Sequence, residues 1–178
     1  MRIVEGEPDP SEGYLVHAQS GFGPDGPPGS RRAHITLCAG SEFRNFLTFG
    51  LGWELVPPDL DLVRFELYRR TLLVLVASWP VICANTQCYI WSGKPPTDPG
   101  EPPFPYSGFQ MPWIVYLDAA TAARVPAPPG IETESVTDGG RLLIVTRDRF
   151  DPYRTEHRRL SRTLVETLLD HGVAPPTR

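Results

Sequence analysis

The chain has 178 residues, enough for one domain with a substantial buried core. Its 17 Lys+Arg against 21 Asp+Glu leave a formal charge of −4, which argues against a phosphate-driven nucleic-acid binder and suits a basic protein partner. Cys38, Cys83 and Cys88 form neither a disulfide framework nor a close paired-Cys metal motif.

Met1–Pro10 lacks the apolar core of a signal peptide, and no apolar run is long enough to span a membrane. The expected address is a reducing cytoplasm. The 21 Pro and 16 Gly imply long irregular connections, while Trp, Phe, Tyr and Leu are spread along the whole chain and argue against disorder. Residues 1–178 therefore read as one domain, with residues 1–12 as a flexible acidic tail.

Gly13–Gln19, with Tyr14, Leu15, Val16 and Ala18, is the first predicted strand. Ser20–Gly29 is a Gly/Pro loop. Its prolines remove N–H donors and no Lys follows, so it matches no phosphate-binding fingerprint. Ser30–Phe49 carries Ile35, Ala39, Phe43 and Phe46 at helical spacing, and one helix is expected. His34–Cys38 alternates as a strand would, which keeps strand-turn-helix open.

Asp59 suits the cap of a helix from Leu60, with Val63 and Leu67 on its apolar side. Thr71–Ala77 continues it as a buried helix end or as a strand. Pro80 marks a boundary, and Val81–Trp91 has strand character. Gly93–Pro112 is a second Pro-rich loop holding Phe104, Tyr106 and Phe109. Stiffened by its prolines, it can present aromatic side chains for recognition or pin them to the core.

From Pro112 the pattern sharpens. Trp113–Leu117 is a compact apolar strand, and Asp118–Arg124 a short Ala-rich helix. Ile131–Thr137 and Arg141–Thr146 flank Asp138-Gly139-Gly140, which predicts a hairpin because Gly reaches positive φ without a Cβ clash. Asp151-Pro152 fits an N-cap followed by Pro at the first helical position. The helix it opens carries a stripe of Leu160, Leu164 and Leu168, with Val165 and Leu169 beside it. Arg154, Arg158, Arg159 and Arg162 occupy its other faces, and Gly172 stops it. The fold class expected from this series is α+β: a mainly antiparallel sheet with helices packed on one face or end.

Catalytic patterns are sparse. His17, His34, His157 and His171 form no zinc-protease spacing, His157 reads as a polar helix residue, and His171 suits the last turn of a helix. Glu132 and Glu134 share one strand face, where they could act as acid and base or simply meet solvent or a partner. Cys83 or Cys88 with a distant His could serve a small Cys-dependent hydrolase, although free Cys is more often a buried apolar residue. No catalytic residue, metal or cofactor is assigned.

The C-terminal block also carries a resemblance. Pro112-Trp113-Ile114-Val115-Tyr116-Leu117, the Asp138-Gly139-Gly140 turn with Leu142-Leu143, Arg149-Phe150-Asp151-Pro152 and Glu156-His157 together resemble the end of a family of bacterial immunity proteins. These belong to polymorphic toxin and type VI secretion systems, and the likeness is closest to the fifty-second immunity family, whose members neighbour toxins of restriction-endonuclease fold. It covers about the last third of the chain. Tyr14–Ala18 and Ser30–Phe49 fit loosely, and the Gly93–Gln110 loop does not fit. The resemblance implies a non-enzymatic, cofactor-free α+β protein that binds a cognate toxin, a nuclease effector. The negative charge would steer such a protein to a basic nuclease surface. Glu132 and Glu134 are then candidate contacts, with Phe104, Tyr106 and Phe109 as candidate anchors.

Overall fold

The architecture is α+β, with antiparallel sheets and three helices among the described residues. The structure, a computed structural model, describes residues 2–5, 14–20, 33–39, 46–51, 63–79, 81–89, 99–102 and 110–173. Two compact units are distinguished, 1–63 and 64–178.

The first unit holds a four-stranded antiparallel sheet in chain order: β1 (Arg2–Glu5), β2 (Tyr14–Ser20), β3 (Ala33–Ala39) and β4 (Phe46–Leu51). The strand expected over Gly13–Gln19 is β2. Arg2–Glu5 is also a strand, paired from Arg2↔Gln19 to Glu5↔Val16, where a tail was expected. The single helix expected over Ser30–Phe49 is replaced by two strands, paired from Ala33↔Leu51 to Cys38↔Phe46. Gly40-Ser41 interrupts the helix-spaced set, and the β-branched and aromatic residues on either side prefer a pleated backbone.

The second unit opens with α1 (Phe65–Ser78). This helix starts later than expected: Arg64 is its extended N-cap, Val63 precedes it, and Asp59 lies outside the described residues. Thr71–Ala77 is helical, so its apolar run belongs to α1. Phe65, Leu72 and Val76 form the buried face at helical spacing.

A second antiparallel sheet follows, of β5 (Cys83–Tyr89), β6 (Gln110–Leu117), β7 (Glu132–Ser135) and β8 (Arg141–Ile144), in the order β5-β6-β8-β7. Between β6 and β7 lies α2 (Ala119–Arg124), capped by Asp118, whose Oδ1 accepts the Thr121 N–H at 2.8 Å. Every residue from Met111 to Leu117 is buried, so β6 is covered on both faces and reads as a continuous apolar run.

β6 begins at Gln110, inside the segment expected to be loop. Its pairing with β5 shifts between Thr86↔Ile114 and Gln87↔Pro112, which leaves Trp113 as the extra residue of a bulge. Pro112, with no N–H to give, is tolerated in an inner strand at such a place. On the other side of β6 the Trp113 carbonyl accepts the Val145 N–H at 3.0 Å, continuing the pairing with β8.

The chain closes with α3 (Thr155–Asp170), whose stripe is buried as expected at Leu160, Leu164, Val165 and Leu168. Leu169 is 40% exposed and sits outside the stripe. Ser161 fastens the helix to β6, its hydroxyl donating to the buried Pro112 carbonyl at 3.0 Å. At the far end the Val173 N–H reaches the Leu168 carbonyl and the Gly172 N–H that of Leu169, with Gly172 at φ 69°. This is the Schellman closure that the glycine predicts.

The start of α3 differs from the expectation. Asp151 does not cap the helix. Its Oδ1 accepts the Tyr153 N–H at 2.9 Å and its carbonyl accepts the Arg154 N–H at 3.2 Å, which closes a separate turn. The helix then starts at Thr155 with Arg154 as N-cap.

Candidate partner-binding surface

Glu132 and Glu134 lie two residues apart on β7, the edge strand of the second sheet, and their side chains project to one face. They do not form a bare acidic face. Arg147, just beyond β8, donates its Nε–H to Glu132 Oε1 at 2.9 Å, and its Nη2 stands 3.7 Å from Glu134 Oε2. Arg69, on α1, donates to both oxygens of Glu134, from Nε at 3.1 Å. Glu66, one turn earlier on α1, lies 3.9 Å from Arg69 Nη1. The result is a ladder of alternating charge running from α1 across β7 to the segment after β8.

The ladder rests on aromatic side chains. The Arg147 guanidinium sits over the Phe65 ring, 5.3 Å from its centroid. Phe65 and Tyr68 in turn pack on Trp113, at 6.3 and 5.3 Å between centroids. Trp113 donates its indole N–H to the Thr146 carbonyl at 2.8 Å, which ties this cluster to the end of β8. These partnerships leave no local signature in the sequence. Arg69 and Glu134 are 65 residues apart, and only the packing of α1 near the sheet brings them together.

Electrostatics follow from the pairing. The hydrogen bond from Arg69 holds the Glu134 carboxyl below its ordinary 4.5, and that from Arg147 does the same for Glu132. Both arginines are stabilised as cations by the same contacts. A general acid near neutral pH needs the opposite displacement, so the acid–base reading of this pair gains nothing from its surroundings. Phe104, Tyr106 and Phe109 lie outside the described residues.

Cys83, the possible nucleophile, stands at the start of β5. Burial, with a smaller contribution from the Asp118 carboxylate, pushes its thiol up to about 12. A thiol so placed is protonated at neutral pH, and neither cause of its shift favours a thiolate. Cys88 shares the strand, and its side chain is outside the described set.

Two readings of α3 need correcting. Arg158 was expected on a face other than the apolar stripe of an otherwise polar helix, and it is buried, at 2% exposure. Its guanidinium donates to Glu101 Oε2 at 3.2 Å from Nε, and to the carbonyls of Pro152 and Tyr153 at 3.2 and 3.0 Å from Nη1. A buried cation persists because these acceptors replace water. His157, expected as an ordinary polar helix residue, is 4% exposed and packs on Phe150 at 5.4 Å.

Among the described residues, no group of three or more His, Cys, Asp and Glu side chains is placed to hold a metal ion, and no helix is long and apolar enough to cross a membrane. Comparison of the chain with models of known families, with curated proteins and with solved structures gives no match.

Proposed function

We propose that this chain is an immunity protein that binds and neutralises a cognate bacterial toxin, a nuclease effector of a type VI or related secretion system, in the cytoplasm of the producing cell. The observation that carries the reading is the clustering of the residues that resemble the immunity family. Pro112–Leu117, the Asp138–Gly140 turn with Leu142-Leu143, and Arg149–Pro152 with Glu156-His157 all belong to one compact unit.

Each of these pieces has a defined place there. Pro112 flanks the bulge of β6 and accepts from Ser161, Asp138 receives the Tyr116 hydroxyl, and His157 accepts the Asp151 N–H. The shared residues thus describe a scaffold, as expected of a family whose members act by binding. On that scaffold β7 displays Glu132 and Glu134 at an edge, with the arginine partners already in position. Charges paired in this way would set the register of a bound partner more than its long-range encounter. In this reading the protein uses neither metal nor cofactor and does not touch nucleic acid itself.

A Cys-dependent hydrolase draws no support from Cys83, whose surroundings hold the thiol protonated. Co-expression with the toxin encoded beside this chain, followed by co-purification and a nuclease assay, tests the proposal. A stable complex with loss of nuclease activity is the expected result. A toxin left fully active and unbound sinks the pairing, and turnover that depends on Cys83 or Cys88 replaces it with the enzyme.

A further inference from the structure

The turn before α3 is fastened by an unusual acceptor. His157, in the first turn of the helix, has its Nδ1 2.9 Å from the Asp151 amide nitrogen, so the amide N–H donates to the ring. That bond requires an unprotonated Nδ1, with the ring proton on Nε2. The ring is 4% exposed and lies on Phe150 at a 33° tilt. There is no room in this geometry for a second proton: a protonated Nδ1 would set two N–H groups against each other.

We infer that the His157 ring and the Asp151 amide form an acid-released latch, which fastens the 150–154 turn to the first turn of α3 when the ring is neutral and lets it go when the ring is protonated. A proton from solvent adds to Nδ1, the Asp151 N–H loses its acceptor, and the imidazolium leaves its place on Phe150 for water.

The charged groups acting on the ring work in both directions. Burial and then Arg154 oppose its protonation, Asp151, Glu156 and Asp148 favour it, and the first two together outweigh the three carboxylates. Arg158, the next residue, is a separate fastening. It holds the Pro152 and Tyr153 carbonyls and Glu101.

The sign follows from that balance. Burial holds the folded-state imidazole below its ordinary 6.5. The latch is therefore closed above 6.5 and opens as pH falls through the lower folded-state value. The Leu164 end of the helix has no part in the bond and stays packed.

The test is a titration of the ¹⁵N-labelled full chain between about pH 8 and about pH 5. The imidazole nitrogens of His157 and the hydrogen-exchange protection of the Asp151 and Leu164 amides are followed together. The latch predicts an unprotonated Nδ1 at the alkaline end. On acidification the Asp151 amide loses protection in step with ring protonation, while Leu164 keeps its own. His157→Asn supplies a side-chain oxygen where Nδ1 stood and cannot titrate, so its Asp151 protection should be flat with pH. A proton found on Nδ1 at the alkaline end overturns the inference. So does an Asp151 amide indifferent to ring protonation, loss of protection at Leu164 to the same extent, or an unchanged pH response in His157→Asn. Should that variant fail to fold, the wild-type comparison of ring and amide decides alone.

Discussion

Tyr116 and Asp138, 22 residues apart, are joined by a hydrogen bond of 2.7 Å from the phenol to Oδ2. The other carboxylate oxygen, Oδ1, accepts the Gly140 N–H at 2.8 Å. One side chain thus fixes both the β7–β8 turn and a ring of the central strand. Burial, followed by the Asp138 hydrogen bond, pushes the Tyr116 phenol up to about 12.

The fit leaves no space at Gly140. A Cβ there would stand 2.6 Å from the Tyr116 ring and 2.7 Å from the Leu117 carbonyl oxygen. Gly140→Ala should cost about 1–3 kcal/mol through overpacking. Urea unfolding reads this directly, and an unchanged midpoint would mean that the turn moves aside without cost.

The stripe of α3 gives a second expectation. Leu164 is fully buried, at 0% exposure, among side chains from the second sheet's unit. Leu164→Ala should destabilise by about 2–5 kcal/mol, the range for emptying a well-packed core site. Leu169→Ala, at the exposed edge of the same helix, should change the unfolding midpoint far less, and comparing the two separates burial from helix propensity.

The Arg69–Glu134 pair predicts an acid limb. The Glu134 carboxyl is held below its ordinary 4.5 in the folded state, first by the hydrogen bond from Arg69. Its contribution is complete above 4.5 and disappears as pH falls through the folded-state value. Each side chain is about a quarter exposed, at 25% and 24%, so solvent weakens the pair and a coupling of ~1 kcal/mol or less is expected from a double-mutant cycle. Arg69→Met should flatten the fall of the urea midpoint below 4.5. Equal slopes in wild type and variant would show that the contact carries no net energy.

Cys83 should be a slow thiol. In a chain with Cys38→Ser and Cys88→Ser, disulfide exchange with an aromatic disulfide at about pH 8 should lag far behind the same reaction after unfolding. Rapid reaction with a midpoint near the ordinary value of 9.0 would contradict the burial argument.

The C-terminal hairpin and α3 were legible because their signals are local. Asp138-Gly139-Gly140 marks a turn by itself, Leu160-Leu164-Leu168 marks a buried face, and Gly172 marks an end. Ser30–Phe49 misled because aromatic residues three apart satisfy a helix count while their neighbours satisfy a strand, and pairing with β2 decides between them. Asp151 had the residue type of a helix cap and used it on a turn. The buried Arg158 was beyond reach of any periodicity, since its carboxylate partner, Glu101, lies 57 residues earlier in a Pro-rich segment. The same holds for Glu134: its strand face was readable, and its occupant, Arg69, was not.

That occupant changes what the β7 edge can offer. Each glutamate already faces a guanidinium of its own chain, so beyond a Debye length of about 8–10 Å the edge is a row of dipoles rather than a line of negative charge. An arriving cation exchanges one ion pair for another and gains little from charge itself. Binding of the proposed partner at this edge would therefore be governed by fit and by the water it releases, and its strength should vary only weakly with salt.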